Sequence, residues 1–401
     1  MTMIGRRSLL TFAGLGGAAL ALPGTTAYAA PAPAPPAPPP APARPATPID
    51  LPVPTARRIV GTVSLHLVDE DRQDPFAPAP APRELMVQLW YPALGAAGRP
   101  RAPYATARVA AELDRIAFLD PGTIARLRPT ARLGAPAAPG ALPLLLLGHG
   151  RKGGRSNCTA LAEELAAHGY LVAALDHPYD AAVVEFPDGR LVRSVLEDDP
   201  ADWGATERTE ISTRAADLRF VATELTTGRT LRRHSGLPCA DPERIGVLGH
   251  SMGGSAAAEA VRQDRRFAAG LNLDGGFFGS PVPDEGLDRP FLLLTTLADH
   301  ETWQRWRAHQ RGWGRQLLQR DAGHLSCTDL AFVAGPGRLA DHTSPEIATQ
   351  LLGTTAPARA AELTRAYVRA HFDRFLRGRP SPLLDAPSPR YPEISFVWSR
   401  G

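Results

Sequence analysis

Ile245-Gly246-Val247-Leu248-Gly249-His250-Ser251-Met252-Gly253-Gly254 is a short apolar run that ends in G-x-S-x-G, and Ser255-Ala256-Ala257-Ala258-Glu259-Ala260 follows with the small residues of a tightly packed helix start. Strand, sharp turn and helix in that order are the setting of a nucleophile elbow. Glycines at 249 and 253 let the strand and helix backbones approach closely, while Ser251 is forced onto the tip of the turn, strained and within reach of a base. A glycine turn that only packed a helix on a strand would not need a serine at its tip.

Upstream of the elbow, Leu142 to Leu147 is a continuous apolar run, as expected of a strand buried on both faces, and it ends in Gly148-His149-Gly150-Arg151-Lys152-Gly153-Gly154. A helix over 157–168 and a strand over 170–178 complete a parallel βαβ unit. Asp188-Gly189 predicts a hairpin turn between strands at 183–186 and 191–194. A helix over 206–227 leads into the elbow strand. Earlier still, 58–68 and 84–92 alternate or read as strands that pair at one sheet edge, and 93–140 is an Ala-, Pro- and Gly-rich excursion with a helical patch over 107–118.

Downstream, strands over 268–274, 290–297 and 315–320 each end in a polar turn, and a helix over 356–376 closes the domain. Alternating β and α elements imply a mostly parallel sheet covered by helices on both faces, with antiparallel strands at its N-terminal edge. Functional groups in such a sheet sit at the carboxyl ends of the strands.

The outer parts of the chain carry addresses. Gly5-Arg6-Arg7-Ser8-Leu9-Leu10, a glycine-containing apolar run to Leu22 and Ala27-Tyr28-Ala29 together read as an export signal over 1–30, the paired arginines favouring the twin-arginine route. The alternative, an uncleaved membrane anchor, conflicts with the shortness of the run. Residues 31–55 are almost wholly Pro and Ala and read as an extended spacer outside the fold, which leaves 56–401 as one catalytic-size domain. No later stretch is long and apolar enough to span a bilayer.

Composition removes other classes. The chain of 401 residues balances 44 Lys and Arg against 41 Asp and Glu, with no basic stripe, so nucleic acid is not expected as a partner. Cys158, Cys239 and Cys327 form neither C-x-x-C nor a zinc spacing, so neither a metal nor another cofactor is indicated.

Ester cleavage by a serine needs an activated hydroxyl, an imidazole to take its proton and a carboxylate to orient that imidazole. Ser251 supplies the hydroxyl. His324 follows the last parallel strand in a Gly-His turn and is the expected base; His300 is the alternative, and His149 and His250, inside tight turns, read as structural. Asp274 and Asp299 both end strands between Ser251 and His324, and each fits the chain order Ser, Asp, His. Either could instead be a turn aspartate bonding its own backbone.

Residues 142–330 resemble the plasma-type platelet-activating-factor acetylhydrolase family and its bacterial esterase relatives within the α/β-hydrolases. The matching stretches are Gly148-His149-Gly150, Leu165 to Ala174, Asp241 to Gly254, Gly270 to Asp274, and His324 with Thr328-Asp329-Leu330. The resemblance implies an α/β-hydrolase fold and the acid at Asp274, although other α/β-hydrolases, cutinase-like polyester hydrolases among them, place it one strand later, where Asp299 lies. It also implies an oxyanion hole made of the Met252 and Arg151 backbone N–H groups. Arg151-Lys152, and Trp303, Trp306 and Trp313 on the other side, depart from that family's apolar lipid-facing surface, so its acyl preference is not carried over.

The function expected is that of a secreted carboxylic ester hydrolase acting on short-chain acyl or lipid esters through an acyl-enzyme. A cutinase-like polyester hydrolase, favoured by a shallow cleft with aromatic flanks, and a non-catalytic binding protein on the same fold are the alternatives. Cys158 and Cys327 border the same site and would be placed for a disulfide in an exported protein.

Overall fold

The computed structural model describes residues 47–117, 119–228, 236–334 and 343–401, so the expected export signal and most of the spacer lie outside the described residues. The strands of the main sheet are β1 (Val60–Gln73), β2 (Pro82–Pro92), β3 (Arg132–Leu133), β4 (Ala141–Gly148), β5 (Leu171–Asp176), β6 (Cys239–His250), β7 (Phe267–Leu273), β8 (Phe291–Thr295), β9 (Gly314–Gln319) and β10 (Ile394–Arg400). They lie side by side in the order β10-β9-β8-β7-β6-β4-β5-β2-β1-β3. The run from β5 through β9 is parallel, whereas β2 joins β5, β1 joins β2 and β10 joins β9 antiparallel.

The helices that matter for the site are α1 (Ala107–Ile116), α2 (Thr159–Ala167), α3 (Trp203–Thr226), α4 (Met252–Gln263), α5 (Glu301–His309) and α6 (Pro357–Arg377). Two apolar clusters fill the two faces of the sheet. One packs α3 and α4 against it through Ile211, Leu218, Val221, Ala257 and Val261. The other packs α2 and α6 through Leu161, Leu165, Leu363, Val368 and Phe372. Central strands such as β4 are buried on both faces for this reason, which is why they read as unbroken apolar runs.

Two expectations need correction, and two helices were not foreseen. Residues 47–55 are not spacer but part of the folded body. Ile49–Asp50 pairs with Leu127–Arg128, Leu51 is buried, and Thr55 N–H and Oγ1–H donate to the Glu164 carboxylate at 2.7 and 2.5 Å. Proline here is tolerated because the carbonyls of Pro52 and Val53, not their nitrogens, make the contacts, accepting from Arg365. Second, α6 does not close the domain. β10 adds itself to the sheet edge, where Trp398 packs on Trp306 at 5.1 Å between ring centroids and Arg315 donates to the carbonyls of Arg400 and Gly401. The unforeseen helices are α5 and a short one over Pro345–Leu352.

Candidate active site

Ser251 lies between β6 and α4 with φ 55°, ψ −124°, a conformation that L-residues rarely adopt. The turn is held from the neighbouring strand, since Ser251 N–H donates to the Leu273 carbonyl at 2.8 Å. Its tightness depends on glycine. A Cβ on Gly249 would stand 2.2 Å from the Gly253 backbone, and one on Gly253 would stand 2.3 Å from the Gly148 carbonyl oxygen. Strand β4, the elbow and α4 therefore meet backbone to backbone.

Asp274 ends β7, also at positive φ (57°), with its N–H donating to the Leu294 carbonyl at 2.8 Å. Its carboxylate accepts from Thr296 N–H at 2.6 Å and Thr296 Oγ1–H at 2.8 Å, and lies 2.7 Å from His324 Nδ1. The third contact fixes the imidazole tautomer: a carboxylate only accepts, so Nδ1 carries the proton and Nε2 keeps its lone pair. Asp299 is elsewhere engaged, exposed and paired with Arg307 at 2.9 Å. His300 caps α5, its Nδ1 2.9 Å from Thr302 Oγ1. The fold thus brings His324 to Asp274 and not to Asp299.

His324 sits in a loop anchored at both ends. Its N–H donates to the Gln350 carbonyl at 3.0 Å, and Asp329, further along, accepts from Ala160 N–H at 3.2 Å at the start of α2. Burial pushes the Asp329 carboxyl up to about 8. Cys158 and Cys327 are free thiols in this structure, with Cys158 Sγ 3.9 Å from the Cys327 carbonyl, and the disulfide they could form is not present.

The loop after β4 closes the site. Gly153 N–H donates to the Gly150 carbonyl at 3.0 Å, making a turn with Arg151 and Lys152 at its corners. Arg214 of α3, paired twice with Asp180 at 2.6 Å, donates to the His149 carbonyl at 2.5 Å and the Gly150 carbonyl at 3.2 Å. In a trans peptide C=O and N–H point opposite ways, so holding the Gly150 carbonyl toward Arg214 turns the Arg151 N–H away from it. Met252, the first residue of α4, has an N–H without an intrahelical acceptor. His149 is buried, which holds its imidazole well below the ordinary range, and its Nδ1 is 2.6 Å from the Gly150 carbonyl; its role is to shape the loop.

Arg151 and Lys152 border the same hollow as Ser251, and each charge is held in an ion pair. The Arg151 guanidinium is buried against Glu210 at 3.0 Å and stacks over Trp203 at 5.3 Å, and Lys152 pairs with Asp198 at 2.5 Å. Of the tryptophans, only Trp303 lines the site, while Trp306 is core and Trp313 lies under Arg315 and Arg374. Ser251 and His324 together line two hollows. One, of about 170 Å³, is walled by aliphatic side chains: Leu113, Ile116 and Leu119 from the excursion, and Leu325, Leu330 and Val333 from the histidine loop. The other, of about 20 Å³, lies between Asp274, Phe278, His300 and Trp303. Thr296, Arg214 and Glu210 were not singled out from sequence; they sit on separate elements, and nothing local marks them. Among the described residues no group of three or more His, Cys, Asp or Glu side chains could hold a metal ion.

A mostly parallel sheet, an elbow serine and a histidine–carboxylate pair at the carboxyl ends of its strands define the molecule as an α/β-hydrolase. A family profile described as platelet-activating factor acetylhydrolase, isoform II, matches residues 123–194. The chain is 28% identical over 275 residues to a probable 1-alkyl-2-acetylglycerophosphocholine esterase of Arthroderma benhamiae, covering 64% of this chain and 66% of that protein. It is 28% identical over 172 residues to the platelet-activating factor acetylhydrolase of Bos taurus, covering 37% of each. The chain thus spans between about a third and two thirds of these curated relatives. A solved structure, a ferulic acid esterase from Streptomyces cinnamoneus, superposes with a TM-score of 0.77 at 43% identity, covering 86% of this chain and 98% of that one. The chain belongs to the esterase family of the α/β-hydrolases, the carboxylic ester hydrolases built on this fold.

Proposed function

We propose that the protein hydrolyses carboxylic esters of a bulky apolar acid, feruloyl-type esters first among them, with Ser251 as nucleophile, His324 as base and Asp274 as the orienting acid. The observation that carries this reading is the 2.7 Å contact of His324 Nδ1 with Asp274 in a site where His324 and Ser251 line the same hollows. His324 Nε2 takes the Ser251 Oγ proton as the oxygen attacks the ester carbonyl. The oxyanion is met by the Met252 and Arg151 N–H groups, donors fixed before charge develops. Collapse expels the alcohol, which leaves with the proton held on Nε2, and water then hydrolyses the acyl-serine by the same route.

The walls of the larger hollow support this substrate class. An acetyl group, the acyl part in the names of the curated relatives, would leave most of a 170 Å³ aliphatic chamber uncontacted, whereas a feruloyl group, as in the Streptomyces relative's name, would use it. The arginine pair at 6–7 and the Ala27-Tyr28-Ala29 site support export of a chain organised as signal, Pro/Ala-rich spacer and a single hydrolase domain. Among the described residues no helix is long and apolar enough to cross a membrane.

The test is turnover of methyl ferulate beside a chain-length series of p-nitrophenyl esters, with fluorophosphonate labelling. Labelling and turnover are expected in the native chain and absent in Ser251→Ala. Turnover surviving in Ser251→Ala would overturn the nucleophile assignment, and highest kcat/KM on the acetyl ester would overturn the acyl assignment.

A further inference from the structure

We infer that His250, at the first variable position of the elbow motif, is a positioning residue that sets the spacing between the nucleophile, the histidine loop and the oxyanion loop. The inference rests on the triad reading above and adds to it a side chain outside that triad. His250 Nε2 lies 2.8 Å from the main-chain carbonyl oxygen of His324. That oxygen only accepts, so Nε2 carries the proton and donates, and Nδ1 keeps its lone pair. The two imidazoles also face one another, 4.6 Å between centroids with a tilt of 44°.

The Nδ1 side of the same ring meets the oxyanion loop. A Cβ placed on Gly150 would stand 3.0 Å from His250 Nδ1, 3.4 Å from its Cε1 and 3.3 Å from Ser251 Cβ. The Gly150 backbone thus rests directly on the ring, one residue before the Arg151 N–H. The ring's own base is rigid: His250 is the last residue of β6, in register with Leu273, and the next N–H, that of Ser251, is bonded to Leu273. The imidazole is therefore a wedge of fixed width, mounted on the sheet, with the histidine loop bonded at Nε2 and the Gly150 backbone packed near Nδ1 and Cε1.

Charge does not disturb the wedge. Burial is the main reason the His250 imidazole is held down at about 3, with the nearby His324 ring acting in the same direction. It remains a neutral donor wherever a neutral His324 can act as base. Two substitutions separate the features: Phe keeps the ring width without the donor, and Gln keeps a donor at similar reach without the ring.

The roles separate in His250→Phe and His250→Gln, purified as full-length proteins. His250→Phe is expected to keep KM for methyl ferulate and the native melting temperature within a few degrees while kcat falls on the order of 10- to 100-fold, the scale set by misplacing a catalytic group by about an ångström. His250→Gln is expected to regain part of that loss, because it restores the donor to the His324 carbonyl but not the ring packed against Gly150. A second readout needs no turnover: the far-downfield proton resonance of His324 Nδ1–H on Asp274 should be sharp in the native chain, broadened in His250→Phe and restored in His250→Gln. Native kcat and a sharp resonance in His250→Phe would overturn the inference, as would a loss that Gln leaves unrestored or that tracks melting temperature in both variants. Should the native chain turn over no ester, the triad reading fails by itself, and the resonance alone then decides whether His250 holds the His324 loop.

Discussion

At the scale of single residues the site is governed by how few partners each polar atom is allowed. Asp274 has its two oxygens engaged by Thr296 N–H, Thr296 Oγ1–H and His324 Nδ1, so its orientation is set before substrate arrives. Asp299 is held by an exposed ion pair with Arg307, an interaction worth little in water. Asp274→Asn is expected to lower kcat by about 10⁴-fold, because an amide no longer fixes the imidazole tautomer, while Asp299→Asn leaves kcat close to native. Steady-state kinetics of the two variants on one ester decide the matter, and equal effects would remove the acid assignment. Thr296 gives no warning of this role in the sequence, where it is one polar residue among several at a strand end.

Among elements, the tightest constraint is the meeting of β4, the elbow and α4. Main chain packs on main chain there, and a methyl group has nowhere to go: a Cβ on Gly253 would be 2.3 Å from the Gly148 carbonyl oxygen and 2.7 Å from that of His149. Gly253→Ala is expected to destabilise the fold by about 1–3 kcal/mol through overpacking, read as a lower urea midpoint at unchanged slope. Because the displaced backbone carries both the elbow and the loop after β4, fluorophosphonate labelling should slow as well; a variant with native midpoint and labelling would show the contact to be loose. Helix α3 acts on the same loop from behind, with Arg214 paired to Asp180 and bonded to two loop carbonyls, and Glu210 paired to Arg151. Such buried pairs are costly to break singly, since one partner's loss leaves the other charge without compensation.

For the whole molecule, buried titratable groups set opposite slopes in stability against pH. His250 and His371 are each held at about 3 by burial, against roughly 6.5 in the unfolded chain, so their contribution is complete above about 6.5 and is lost as pH falls toward 3. Asp329 runs the other way. Burial raises its carboxyl to about 8, from roughly 3.9 unfolded, so its contribution is complete below about 4 and is lost as pH rises through 8. The difference in melting temperature between Asp329→Asn and the native chain should therefore move in favour of the variant from pH 4 to 8 and level off above. A difference independent of pH would show that Asp329 titrates normally. The group lies in the loop that carries His324 and bonds it to α2, so the alkaline loss would be felt first near the site.

Much of this protein is legible one residue at a time, because the cause is local. Period and apolar runs marked the buried strands, and glycine with serine marked the elbow, since each reflects a constraint acting within a few residues. The chain order Ser, Asp, His, together with the requirement that the acid end a strand, narrowed it to Asp274 and Asp299. What the chain order could not decide was which of Asp274 and Asp299 faces His324, that Arg151 would be paired with Glu210, or that residues 47–55 would be bound by Glu164 and Arg365. Those outcomes depend on side chains separated by tens to hundreds of positions, brought within hydrogen-bonding distance only when the sheet assembles. A hydrogen bond acts over about 3 Å and carries no trace along the sequence.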